Sequence, residues 1–255
     1  MIRIIKYVIL DILKNKILIF YTLLLALLSW SVFSLEDNTS KGLLTLLNVV
    51  LLSVPLVSII FSTIYIYNSG EFIELLLSQP VKRNKIYLSI FTGLSVSMVL
   101  AFMVGTGIPV LLYSPNETGI TLVLAGSAIS LVFVSLAFLS SIIARDKAKG
   151  IGIAIMLWLY FSLLFDGLIL FLLFQFADYP IEKAMIVISA LSPVDLARIL
   201  ILLQLDVSVM MGYTGAIFKD FFGTTQGIII TFILICLWII VPFRIANHKF
   251  KKKDL

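Results

Sequence analysis

Residues 43–67 read LLTLLNVVLLSVPLVSIIFSTIYIY, twenty-five positions without an Asp, Glu, Lys, Arg or His. As an α-helix such a run is about 37 Å long at 1.5 Å per residue, enough to cross the roughly 30 Å hydrocarbon core of a bilayer. Its apolar residues are continuous rather than alternating, which argues against a barrel strand. An open sheet is excluded because lipid cannot satisfy unpaired backbone groups. Runs of the same kind recur at Ile17–Leu35, Ile86–Leu112, Ile120–Ile143, Ile151–Phe176 and Gly227–Phe243. The chain is 61% hydrophobic and 13% charged, about half the charge of a soluble domain. These features predict an all-α polytopic membrane protein with one membrane domain over 1–255 and six spans. Pro55 and Pro109 lie within spans, where a proline is tolerated and bends the helix. The run from Ile17 lacks a small-residue cleavage site and reads as a first span that stays.

The segments between the spans carry the polarity. Residues 1–16, MIRIIKYVILDILKNK, place Ile4, Ile5, Val8, Ile9, Ile12 and Leu13 at helical spacing among four cations, the pattern of an amphipathic helix on a membrane surface. With the N-terminus inside, fifteen of the nineteen Lys and Arg fall on one side, and only Lys41, Lys183, Arg198 and Lys219 on the other. That is the positive-inside asymmetry, and it predicts cytoplasmic termini. It accounts for the net charge of +5 without nucleic acid. The long outer region, 177–225, holds AMIVISALS and LARILILLQL, each too short to span. Two or more short amphipathic helices at the membrane surface are expected there, one starting at Ser192-Pro193 with Asp195.

Between the second and third spans lies NSGEFIELLLSQPVKRNK, residues 68–85. Glu71 and Glu74 suit the first turn of a short helix over 70–80. Phe72, Ile73 and Leu75–Leu77 give it an apolar body, Pro80 ends it, and Lys82, Arg83 and Lys85 follow at the membrane edge. From the residues alone two readings stand: an interfacial helix with snorkelling cations, or a docking helix for a soluble partner.

The run EFIELLLSQPVKR resembles the loop between the second and third helices of ABC-2 type permeases, where an acidic residue, a leucine run, a proline and a basic residue recur. Glu71, Leu75-Leu76-Leu77, Pro80 and Arg83 occupy the matching places. Phe72-Ile73 replaces a common Gly-Thr pair, and Ser89 and Ile90 stand where a lysine is common. The resemblance implies a type V exporter architecture and a coupling helix docked in a cytoplasmic ATPase, with Glu71, Phe72, Glu74, Leu75, Leu76, Pro80 and Arg83 at the contact. ARDKAKGIGIA from Ala144, LLFDGLIL from Leu163 and the stretch from Leu191 through MGYTGAIF further resemble the permease subunit of the Nos ABC transporter, which matures nitrous oxide reductase. That resemblance implies a homodimer in the bacterial inner membrane, bound to two ATPase subunits that carry ATP and Mg²⁺. It also implies a periplasmic right-handed β-helix partner, a copper-chaperone lipoprotein and a role in copper-site assembly. No GxxxxGK[ST] loop occurs in the chain, so hydrolysis has to come from a partner.

Asp166 is the one carboxylate within a span. Hydrocarbon penalises it by at least about 2.5 kcal/mol, so it should face protein or water. Fifteen residues beyond Ile151, about 22 Å along the helix, it lies in the outer half. Either a polar point at a dimer seam or vestibule, or a helix-packing hydrogen bond near the outer interface, fits it. Copper ligation finds little support: His248 sits in a basic tail, Cys236 reads as a small apolar packer, and Met98, Met103 and Met156 read as core. Adjacent Met210 and Met211 point about 100° apart on a helix. No metal or other cofactor is expected in this chain itself. The outer region with Asp178, Tyr179, Pro193, Asp195, Arg198, Asp206, Met210, Met211 and Tyr213 reads as a partner surface or as a lid over the spans. The functions weighed are an ATPase-driven permease in copper-centre maturation, an exporter of drugs or lipids, a non-transporting scaffold and an intramembrane enzyme. The last is disfavoured: it lacks a paired carboxylate and a histidine pair.

Overall fold

The structure, a computed structural model, describes residues 2–36, 38–144, 146–176, 187–204 and 225–252. Among these there is no strand, and six helices are long and apolar enough to cross a membrane. The order is α1 (Ile2–Leu13), α2 (Lys16–Leu35), α3 (Thr39–Asn68), α4 (Gly70–Leu77) and α5 (Arg83–Phe102). A π-helical turn, Met103–Gly107, then leads into α6 (Ile108–Tyr113). There follow α7 (Glu117–Ile143), α8 (Lys147–Leu159), a second π-turn Tyr160–Leu164, α9 (Phe165–Gln175), α10 (Pro193–Gln204) and α11 (Thr225–Lys252). The expected spans correspond to α2, α3, α5–α6, α7, α8–α9 and α11.

Asparagines punctuate the chain. Asn15, Asn38 and Asn116 each accept a backbone N–H of the following helix through Oδ1, at 2.9 Å, which starts α2, α3 and α7 where the first-turn donors would be orphaned. Pro109 has no N–H to offer the Gly105 carbonyl, and its ring crowds that oxygen. The chain answers with the π-turn over Met103–Gly107 instead of the simple bend expected there. A Cβ on Gly105 would lie 2.8 Å from Leu25 Cβ and 3.0 Å from the Thr22 carbonyl, so the π-turn is also where α2 comes closest.

α7 is the axial helix. Of its apolar window 72% is buried, against 17% for α8–α9 and 17% for α11. Small residues let neighbours approach it, which matters where lipid removes the hydrophobic drive for helix association: Gly126 receives the Phe102 ring. Its serines satisfy themselves or a neighbour, Ser130 donating to the Gly126 carbonyl and Ser135 to the Ile239 carbonyl of α11.

The loops rich in Lys and Arg meet at one end of the bundle. Lys147 Nζ donates to Asn68 Oδ1 at 2.7 Å, and Asn247 donates to Asn84 at 2.6 Å. The Tyr67 hydroxyl is shared between the Ser141 and Ala144 carbonyls at 3.2 and 3.0 Å, closing the end of α7, and the Tyr67 ring fills the notch at Gly150.

Three further expectations are corrected. α10 does not lie on a surface: Val194, Leu196, Ala197, Leu200 and Ile201 are buried, and the helix packs on α7, α11 and α3. Its apolar residues cover most of its circumference, so one-sided solvation was never available to it. Met156 is 69% exposed and Cys236 is exposed, both on outward faces of peripheral spans, whereas Met98 is fully buried and Met103 packs against the core.

Candidate functional site

Two polar sites stand at opposite ends of the bundle. At the basic end α4 projects from the junction of α3 and α5. Its first turn carries Glu71, whose charge favours the helix dipole. Ser78, just past the helix, donates its Oγ to the Leu75 carbonyl at 2.8 Å. Gln79 N–H donates to the Leu76 carbonyl at 3.3 Å. The chain then turns through Pro80 into α5.

The sides of α4 differ sharply. Ile73 and Leu76 are buried, Phe72 and Leu77 half-buried. Glu71, Glu74, Leu75 and Ser78 are exposed, Leu75 at 66%. They fall at i, i+3, i+4 and i+7, one stripe of a helix. Phe72 stacks on Tyr7 of α1, ring centres 5.1 Å apart. Beneath α4 lies a cavity of ≈ 260 Å³, lined by Gly70, Ile73 and Glu74 of α4, Tyr67, Tyr87 and Phe250 among others. The helix is thus held by a few apolar anchors over a void and offers an exposed leucine beside two carboxylates. Pro80 and Arg83 are exposed beyond it. The structure therefore splits the residues that sequence had grouped: Glu71, Glu74 and Leu75 face out, while Phe72 and Leu76 anchor.

At the other end Asp166 of α9 meets Arg198 of α10 in a two-pronged ion pair. Nη2 reaches Oδ2 at 2.8 Å and Nη1 reaches Oδ1 at 2.8 Å. Nη1 also reaches Asp195 Oδ1 at 3.3 Å. Ser192 accepts the Asp195 N–H on its Oγ at 3.2 Å, and with Pro193 in the first position this is the helix start read from the sequence. Asp195 Oδ2 is buried without a partner. Burial and the facing Asp166 carboxylate push the Asp195 carboxyl up from 3.8 to about 7, against the lowering pull of Arg198.

Asp166, Pro193, Asp195 and Arg198 thus come together. The partner of Asp166 was missed in the sequence, although one signal pointed to it: a carboxylate within a span demands a cation, and Arg198 is the one cation within α10. The remaining outer residues singled out, Asp178, Tyr179, Asp206, Met210, Met211 and Tyr213, lie outside the described residues.

The sequence profile of ABC-2 family transporter proteins matches residues 54–255, from within α3 onward. Two curated relatives are similar. One, a probable ABC transporter permease protein NosY of Pseudomonas aeruginosa, is 28% identical over 226 residues, covering 79% of this chain and 81% of the relative. The other, a protein of the same description from Stutzerimonas stutzeri, is 27% identical over 131 residues, 47% of this chain and 48% of the relative.

Proposed function

This chain belongs to the ABC-2 transporter family, and from that premise we propose that α4 is the grip through which a separate ATPase drives it. Membership makes the chain a permease subunit of an ABC transporter, and such subunits work with an ATPase partner and as dimers. The observation that carries the finer reading is the exposed stripe Glu71, Glu74, Leu75 and Ser78 on a helix anchored by Phe72, Ile73 and Leu76. An exposed leucine beside two carboxylates, standing clear of the bundle at its basic end, suits a complementary groove better than lipid headgroups. On this reading the basic end and both termini lie in the cytoplasm of a bacterium and the ion-paired end outside its inner membrane, in keeping with the excess of Lys and Arg on one side. Two ATPase copies, each with ATP and Mg²⁺, would serve two copies of this chain.

Motion of α4 has a short path outward. It joins α3 to α5, both helices flank α7, and α10 packs on α3 and α7. The Asp166–Arg198 pair then ties α10 to α9. An ATPase that displaces α4 would strain this pair.

The cargo reading follows the relatives. Similarity to two permeases described as NosY supports a role in copper-centre maturation of nitrous oxide reductase, with a periplasmic β-helix protein and a copper-chaperone lipoprotein as outer partners. The test has two parts. The chain and a Glu71→Ala/Glu74→Ala variant are co-purified with the ATPase, and both should reach the membrane in equal amount while only the native chain retains the ATPase. A strain lacking the chain should accumulate nitrous oxide reductase deficient in copper. Equal ATPase retention by the variant would refute the grip, and a fully metallated reductase would refute the maturation role.

A further inference from the structure

α1 lies between two surroundings. Its spine, Val8 and Ile12, is fully buried, with Val8 seated in the notch at Gly93 of α5. One edge bears Tyr7 and Asp11, a turn apart. Tyr7 stacks on Phe72 of α4, and Asp11 accepts the Tyr65 hydroxyl of α3 at 3.0 Å. The other edge bears Ile2, Lys6, Ile9 and Leu13 at i, i+4, i+7 and i+11. Ile2 is 83% exposed and Leu13 37%. Only Lys14 and Asn15 separate α1 from the span α2, so this edge is fixed at the membrane border.

The charge is one-sided. Arg3, Lys6, Lys14 and Lys16 are all exposed, and Asp11, the one carboxylate in 1–16, is engaged by Tyr65. Exposed aliphatics beside exposed cations suit insertion at the boundary of an anionic leaflet, where each cation strengthens attraction by roughly fivefold. We infer that α1 is a binding surface for anionic lipid headgroups, and that the Tyr7–Phe72 stack relays its occupancy to α4. The relay rests on the reading of α4 as the ATPase grip; the lipid surface does not. Headgroups that hold Arg3 and Lys6 fix α1 against the membrane. The stacked Phe72 is fixed with it, so α4 is presented to the ATPase in one orientation instead of rocking over its cavity.

The experiment uses the permease–ATPase complex in nanodiscs of phosphatidylcholine alone or mixed with phosphatidylglycerol. Three quantities are read: ATPase retained, ATP turnover per retained ATPase, and phosphatidylglycerol held by the permease alone in native mass spectrometry. Phosphatidylglycerol should raise turnover of the native complex. Arg3→Gln/Lys6→Gln, which leaves Lys14 and Lys16 as topology signals, should hold less phosphatidylglycerol and lose that response. Tyr7→Ala should hold phosphatidylglycerol as the native chain does, yet lose the response. Native-level lipid retention by Arg3→Gln/Lys6→Gln overturns the surface. A full response in Tyr7→Ala overturns the relay. Failure of the native permease to retain the ATPase overturns the α4 reading and the relay with it, while the lipid count still judges the surface.

Discussion

Arg198→Met gives the sharpest test of the outer ion pair. The guanidinium makes two 2.8 Å contacts to Asp166 and one of 3.3 Å to Asp195, and methionine keeps most of the chain length and apolar body while removing all three. Removing one partner of a fully buried pair costs about 3–5 kcal/mol, and of an exposed pair under about 1 kcal/mol. Arg198 and Asp166 are 28% and 29% exposed at their side chains, Asp195 only 5%. The expected loss is therefore about 2–3 kcal/mol in the local opening of α10. At about 1.4 kcal/mol per tenfold this is roughly a 30- to 140-fold gain in opening. Hydrogen–deuterium exchange of the α10 amides in nanodiscs reads it directly. Unchanged α10 protection in Arg198→Met would refute the claim that this pair fastens α10 to α9. So would strict additivity of Asp166→Asn and Arg198→Met, since residues in direct contact should couple.

The Asp195 carboxyl sets a pH dependence. With its pKa raised to about 7, the folded site holds a proton that the unfolded chain releases near 4, so its contribution to stability falls as pH rises from about 4 to 7 and is flat above. The difference in melting temperature between the native chain and Asp195→Asn should follow that course, and a pH-independent difference would contradict it. Gly93→Leu should free α1: a Cβ there would lie 2.5 Å from Val8 Cγ1, and overpacking of this kind costs about 1–3 kcal/mol. Exchange of the α1 amides should rise while that of α7 stays as it was. Tyr67→Phe removes the donor shared by the Ser141 and Ala144 carbonyls and should cost about 1 kcal/mol, visible as faster exchange at the end of α7 and the start of α8.

Much of this architecture was legible because lipid narrows the choices. An uncharged run of the length of 43–67 has one viable conformation in hydrocarbon. The start of α10 was legible for a local reason, Ser192-Pro193 followed by Asp195. What α10 packs against was not, since a short apolar run fits a surface helix and a buried one equally well. Facing within a span was equally hidden: around Met156 in α8 and Cys236 in α11 the neighbouring residues are apolar on all sides, so nothing local distinguishes either from Met98. The Asp166–Arg198 pair joins positions 32 apart, a long-range contact that depends on α10 folding back onto the bundle. On α4 the short helix with Glu71 in its first turn was legible. The division into anchors and exposed stripe came only with the helix phase.

A helix α4 that grips an ATPase through one face has to bring that face, and not the other, within crosslinking distance of the ATPase. A photoreactive residue is placed singly at Glu71, Glu74, Leu75 and Ser78, then at Ile73 and Leu76, in the complex with its ATPase. Crosslinks to the ATPase from the first four positions and none from the last two are expected. Equal crosslinking from both sets, or none from Leu75 in a complex that turns over ATP, would contradict it.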